Sequence, residues 1–289
     1  MEKVSVIIPC YNAERFVART LTSVLAQSFM PAEIIAIDDG STDRTMQLIA
    51  QYPVRLIRVG SNQGAIAARN LGYREAKYEL IASIDADCEA SCTWLEELVK
   101  GLPDDCAGTS GMTIEANVKM PADRWRSFHM PLHWGSKPRN NPKVVYGTNH
   151  IFRKSALVKA GLADPTRVAR DYKIGAGDWA LTRRIYAAGF KLFYNPRAIV
   201  YHLRTDTPIS IIRTYWRWSV FYYREPTSLL AFSYKLGINL LKSVKHMADD
   251  CFRREWSLVG ISALIFPFHT YYDMQHLRKS GRSRKQTRP

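Results

Sequence analysis

Two carboxylates one residue apart close a short apolar run, Leu80-Ile81-Ala82-Ser83-Ile84-Asp85-Ala86-Asp87. Side chains of an extended chain alternate faces, so positions i and i+2 point the same way. The spacing predicts that Asp85 and Asp87 project together from the carboxyl end of a buried strand, where open α/β sheets hold ligands. Like charges so placed repel unless a cation sits near them. Hard oxygen ligands favour Mg2+ or Mn2+, ions usually shared with substrate phosphates. The competing use is local, a cap for the helix expected around Thr93–Leu102.

The elements that must position these groups alternate. Val4-Ser5-Val6-Ile7-Ile8 is a β-branched run that Pro9 is expected to end. Asn12 reads as the cap of a helix through Phe29, and Ile34–Ile37 as a second buried strand running into Asp38-Asp39-Gly40-Ser41. A helix from Ser41 or Thr42, a strand Val54–Val59, a turn at Gly60–Gly64 and a helix Ala65–Lys77 lead to the opening stretch. Strand, helix, strand, helix with short links predicts a parallel sheet with helices on both faces. Three strands then end in polar or acidic residues on one edge, which makes a carboxylate-lined crevice. No G-x-G-x-x-G follows the first strand and no P-loop occurs, so the usual phosphate cradles are absent.

Residues 103–145 gather Pro, Asn, Trp and Met and read as a long loop or short antiparallel excursion over the site. Gly175–Trp179 heads a helix Ala180–Ala188 that stops at Gly189. Phe190–Tyr194 and Ala198–His202 are strand-like, separated by Asn195-Pro196-Arg197, and helices follow from about Ile209. His129 and His133 stand i, i+4 like a zinc pair, but Pro131 argues against the helix that would join them.

At 289 residues the chain suffices for one large domain or one domain with an appendage. The net charge of +15 is uneven: Lys and Arg outnumber Asp and Glu by about nine over residues 204–289. A basic tail points to an anionic partner. The start Met1-Glu2-Lys3 leads straight into a strand and has no signal-peptide pattern. The apolar run Leu258–Phe268 falls short of the ~20 residues that cross a bilayer. Five cysteines without a C-x2-C pair are expected to be reduced thiols in a cytosolic protein.

Four motifs stand in order: Val6-Ile7-Ile8-Pro9-Cys10-Tyr11-Asn12-Ala13-Glu14, then Asp38-Asp39-Gly40-Ser41-Thr42-Asp43, then Asn62-x-Gly64-x4-Arg69-Asn70-x-Gly72, then Asp85-x-Asp87. In this order the chain resembles glycosyltransferase family 2, inverting sugar transferases with the A-type nucleotide-sugar fold, over about residues 3–203. The resemblance implies an α/β domain with a mostly parallel central sheet flanked by helices, here with a C-terminal helical extension. The nucleotide half would span about 1–102, the acceptor half about 103–203 and the extension 204–289, frayed from about 278.

The activity implied is metal-dependent inverting transfer from a nucleotide-diphosphate sugar, expected to be a UDP-sugar, to a hydroxyl of a glycan or lipid-linked acceptor. Residue by residue, the resemblance places Pro9, Tyr11 and Glu14 at the base and ribose, and Asp39 against a ring N–H of the base. It places Arg69 near the nucleotide or diphosphate, Asp85 at the ribose or sugar, and Asp87 on Mn2+ or Mg2+. His202 stands where relatives often supply a histidine to the metal, and Asp178 where they supply the catalytic base. Other uses stay open: a turn for Asp39 (a role expected of Asp38), a helix-surface cation for Arg69, an N-cap for Asp178.

The sequence departs from the pattern at Gly177, where the family usually has Glu, and at Ala180, where it often has Asp. These departures motivate the alternative of a catalytically degenerate, membrane-docked scaffold. Beyond the resemblance, Trp, Tyr, Phe and Arg over residues 209–277 suit an anionic membrane interface, with a helical cap or homodimer interface as alternatives. The expected location is cytoplasmic, peripheral at the inner face of the cell membrane, with no nucleic-acid partner.

Overall fold

The computed structural model describes residues 2–164, 176–223, 226 and 228–286. Gly175, expected at the head of a helix, lies outside them. The chain divides into two compact units, residues 1–116 with 131–204, and residues 117–130 with 205–289. The segment Asn117–Met130, which the sequence reading assigned to the acceptor half, clusters with the C-terminal helices.

The first unit carries β1 (Val4–Cys10), α1 (Val17–Leu25), β2 (Glu33–Asp38), α2 (Thr45–Ile49), β3 (Arg55–Arg58), α3 (Ala65–Glu75) and β4 (Leu80–Ile84). It continues with β5 (Cys88–Ala90), α4 (Trp94–Lys100) and β6 (Cys106–Glu115). Helix α5 (Pro121–His129) belongs to the second unit, and the first resumes with β7 (Arg139–Asn140), β8 (Asn149–Arg153), α6 (Lys154–Ala160), α7 (Ala176–Ala187) and β9 (Lys191–His202).

These strands form one sheet in the order β3-β2-β1-β4-β8-β6-β9-β5, with β7 on β9. The β3-β2-β1-β4 half is parallel, as the alternation predicts, and β8 is antiparallel to both β4 and β6. Every residue of β1 is buried because both faces are covered. Val6 and Ile8 pack on one face with Val17, Leu21 and Val24 of α1, and Ile7 on the other with Ile35, Ile37 and Ala68. Helix α3 lies close on the sheet at Gly72, where a Cβ would sit 3.0 Å from Ile7 Cδ1.

Several local expectations are corrected. Strand β1 runs through Pro9 to Cys10, since β4 pairs only with Val4–Ile7 and Pro9 lies past that ladder. Asn12 is no helix cap: it takes φ +48°, and its Oδ1 accepts from Thr42 N–H at 2.9 Å, stitching the β1 end to the β2 end. Helix α2 starts at Thr45 rather than Ser41, with Asp43 Oδ1 accepting from Thr45 N–H at 3.0 Å. Residues 103–145 hold a ten-residue strand, β6, and helix α5 with Pro at its first turn, where a missing N–H costs nothing. The two strand-like pieces after Gly189 are one strand, β9, with a register shift opposite Ser110/Met112.

The second unit joins α5 to α8 (Pro208–Tyr223), α9 (Leu229–Phe252) and α10 (Trp256–Gln286). Its apolar core is small: Trp125, Ile211, Ile212, Leu258, Ile261 and Ile265. Helix α10 is continuous to Gln286, past the position 278 where fraying is expected from the sequence. Among the described residues no helix is long and apolar enough to cross a membrane.

Candidate active site

The turn after β4 sets the geometry. Cys88 N–H donates to Asp85 O at 3.1 Å, so the chain reverses at Ala86-Asp87 and strand alternation no longer applies. Asp85 and Asp87 consequently find different partners. Neither caps α4, which begins beyond β5 with Thr93 before it and no side-chain cap bond.

Asp85 faces Arg69, a buried residue of α3. The guanidinium donates from Nη2 to Asp85 Oδ1 at 2.7 Å and from Nη1 to Asp178 Oδ1 at 3.3 Å. Arg69 is thus no surface cation, and it joins the strand-end carboxylate to a carboxylate in the first turn of α7. Asp178 Oδ2 accepts from Gly147 N–H at 2.9 Å. Residue 147 must be small, because a Cβ there would lie 2.5–2.7 Å from Arg69 guanidinium atoms. Burial raises the Asp178 pKa above the ordinary carboxylate value, while Arg69 and the Gly147 N–H pull it back. Ile66, Tyr73, His150 and Leu181 join Arg69 and Asp178 around a small cavity.

A Cβ at position 177 would meet Ile66 Cδ1 at 2.1 Å and Cγ1 at 2.3 Å, so an acidic side chain here would require Ile66 to shift.

Asp87 belongs to a second set. Its Oδ2 lies 3.4 Å from His202 Nε2, and His202 Nδ1 is 3.0 Å from Glu115 Oε2. Register explains the second contact, since Glu115 of β6 and His202 of β9 are paired neighbours. Burial disfavours charge on His202, but Asp87 and Glu115 overcome it and raise its pKa to about 9. Burial likewise opposes ionisation of Asp87, yet the His202 hydrogen bond and charge hold its carboxyl below the usual range.

A divalent cation is what the family pattern implies here, and the donor set fits one. A carboxylate oxygen and an imidazole nitrogen converge, and a carboxylate on the far ring nitrogen orients the histidine as in many metal–histidine sites.

The nucleotide-side residues are placed less closely together. Tyr11 is half-exposed beyond β1 and Pro9 is buried within it. Glu14 Oε2 accepts from Arg44 N–H at 3.2 Å. Asp39 is buried, its Oδ1 accepting from Gln63 N–H at 3.0 Å and its Oδ2 from Gly64 N–H at 2.8 Å. This grip shapes the loop before α3, where Gly64 takes φ +92°. The turn role thus falls on Asp39, while Asp38 is buried at the end of β2. Asp39 keeps unused lone pairs for a further donor.

Glu115, Gly147 and Ile66 were not singled out in the sequence. Glu115 ends a strand whose Gly, Ser and Thr content hid it, and the other two gain meaning only through contacts far along the chain. Trp125 is fully buried in the second unit, while Trp179 lies under Arg183, 4.7 Å from guanidinium carbon to ring centroid.

An acid-ended parallel half-sheet and an arginine-bridged carboxylate pair characterise this α/β unit. The chain belongs to glycosyl transferase family 2, whose profile matches residues 5–161. It is 27% identical over 202 residues to the glycosyltransferase AglE of Haloferax volcanii, covering 66% of this chain and 64% of that one. It is 26% identical over 231 residues to a poly-beta-1,6-N-acetyl-D-glucosamine synthase of Staphylococcus epidermidis, covering 76% and 54%. The chain therefore spans less than two thirds of either relative.

Among solved structures it is similar to S. aureus TarS 1–349, with TM-score 0.57, 16% identity and coverage of 99% and 92%. It is also similar to the mannosyltransferase PcManGT of Pyrobaculum calidifontis in complex with GDP-Man and Mn2+, with TM-score 0.57, 16% identity and coverage of 99% and 76%. These likenesses establish the mixed α/β fold of A-type glycosyltransferases.

Proposed function

We propose that this chain is a metal-dependent inverting glycosyltransferase moving a sugar from a nucleoside-diphosphate donor to a hydroxyl of a glycan or lipid-linked acceptor. The observation that carries the reading is the double grip of Arg69 on Asp85 and Asp178. It gathers a donor-side carboxylate and a helix-borne carboxylate around one buried cation. Inverting displacement needs one base beside the acceptor and positive charge beside the leaving group.

In this reading Asp178 takes the proton of the acceptor hydroxyl as its oxygen bonds to the anomeric carbon. The bond from that carbon to the diphosphate oxygen breaks, and the nucleoside diphosphate leaves with the electron pair. Arg69 favours the ionised form of Asp178 that a base requires, and Gly147 N–H fixes its second oxygen. Pro9, Tyr11, Glu14 and Asp39 receive the base and ribose, and Asp85 the ribose or sugar.

Asp87 and His202 would hold the divalent cation, with Glu115 orienting His202. When bound, that ion supplies positive charge to the diphosphate leaving group. A mixed oxygen–nitrogen donor pair suits Mn2+ better than Mg2+, which prefers oxygen alone. UDP-sugars are the leading donors, and GDP-mannose joins them because the mannosyltransferase neighbour was captured with GDP-Man and Mn2+.

We also infer that the second unit docks on an anionic membrane surface as a peripheral element at the inner face of the cell membrane. Leu229, Leu230, Leu241, Phe252 and Trp256 are exposed, and Lys245, Arg253 and Arg254 are exposed in the same stretch of sequence.

The test is release of nucleoside diphosphate from UDP- and GDP-sugars with Mn2+. Asp178→Asn is expected to lower kcat by about 10²–10⁴-fold while donor affinity holds. The base must be ionised, so the wild-type rate falls as pH drops through its pKa; because that pKa is raised, the acid limb lies above the range of an exposed aspartate. Unchanged turnover in Asp178→Asn would overturn the base assignment. Donor binding without turnover on any acceptor would favour the degenerate scaffold.

A further inference from the structure

The second unit contains a polar cluster that the glycosyl-transfer reading does not use. His129 closes α5, and His246 lies in the middle of α9. Their Nδ1 atoms face each other at 2.8 Å. Each outer nitrogen has its own oxygen partner: His129 Nε2 lies 2.7 Å from Asp250 Oδ1, and His246 Nε2 lies 2.8 Å from Tyr215 Oη. Asp249 brings a carboxylate oxygen so that one atom from each of His129, His246 and Asp249 falls within 4.8 Å of the others. Trp125 covers both rings, with centroids 4.8 and 5.7 Å away. The histidine side chain at 129 is 4% exposed, and Asp250 is fully buried.

We propose that His129, His246 and Asp249 form a zinc-class metal site, separate in composition from the Asp87–His202 pair. Two imidazole nitrogens and one carboxylate oxygen match the three-protein-ligand sets of tetrahedral zinc, with a fourth position for water. The oxygen partners on the outer nitrogens are what ligating histidines need, since they fix ring orientation and tautomer.

Proton positions follow from the partners. Asp250 Oδ1 accepts from His129 Nε2–H, which leaves Nδ1 as the nitrogen that His129 offers to an ion. The facing Nδ1 atoms share one proton, and an ion between them would take its place. The Nδ1 atoms must part by about 0.5 Å to span an ion at zinc–nitrogen distances of about 2.0–2.1 Å. His129 stands at the end of its helix, where a shift of that size meets the least backbone resistance.

The test uses the full chain carrying Asp87→Asn and His202→Gln, so that the other site contributes no metal. After chelator treatment and dialysis against ZnCl2, one zinc per chain is expected by elemental analysis, with a rise in Tm. Co2+ in its place should give the intense visible bands of a four-coordinate ion. Adding His246→Gln should abolish both signals. Absence of bound zinc and of four-coordinate Co2+ bands in the double variant would overturn the proposal and leave a metal-free hydrogen-bond chain. Equal zinc binding in a folded His246→Gln protein would overturn it as well. If His246→Gln does not fold, Asp249→Asn, which weakens the oxygen donor outside the buried chain, must lower zinc affinity at least tenfold; unchanged affinity would count against the site.

Discussion

Arg69 is held in place by opposed forces. Burying a guanidinium is costly unless it is paired, and breaking such a pair leaves an uncompensated charge. Here Asp85 and Asp178 supply two negative partners, and the bare glycine at 147 lets the guanidinium reach both. At the neighbouring set, His202 stands between Asp87 and Glu115. If Glu115 orients the imidazole for a cation, Glu115→Gln should weaken Mn2+ binding about 10–100-fold by calorimetry. A variant that binds Mn2+ as tightly as the parent would show that Glu115 has only a packing role.

Helix α9 turns the usual soluble pattern inside out. Lys235, Asn239, Ser243, His246 and Asp250 are its buried stripe, while Leu230, Leu241 and Phe252 are 83%, 70% and 92% exposed. A helix that hides polar groups and shows apolar ones leaves an exposed apolar surface, and under the membrane-docking proposal the nearby lysines and arginines would meet anionic headgroups. Each leucine immersed contributes about 1.5–3 kcal/mol, so Leu230→Asp with Leu241→Asp should cut binding to phosphatidylglycerol vesicles by about a hundredfold or more. Equal cosedimentation of parent and variant, or none by the parent, would remove the membrane from the account.

Elements also show where sequence reading reaches its limit. The β-branched runs of β1, β2 and β4 were legible because both faces are buried and periodicity is not needed to see them. Strand β6 was not, since Thr109, Ser110, Gly111 and Thr113 meet their partners only across the sheet. Asn12 misled for a similar reason: its side chain serves the distant Thr42 rather than the next helix. Asp85 and Asp87 were found by type and spacing, but the turn that separates their partners depends on β5 folding back onto β9. Burial in α9 could not be read at all, because its apolar and polar stripes are equally regular and only packing says which faces inward.

Across the whole chain, the family match covers residues 5–161, whereas Asp178 and His202 lie beyond it. The proposed mechanism therefore combines the matched segment with a proposed base and a proposed metal ligand from later elements of the same sheet unit. Its central claim is that Asp87 holds a divalent ion against the donor diphosphate. UDP binding measured by calorimetry with and without Mn2+ tests it most directly, in the parent and in Asp87→Ala. The account predicts Mn2+-dependent UDP affinity in the parent and its loss in a folded Asp87→Ala protein. UDP binding that is indifferent to Mn2+, or that survives the substitution unchanged, would contradict it.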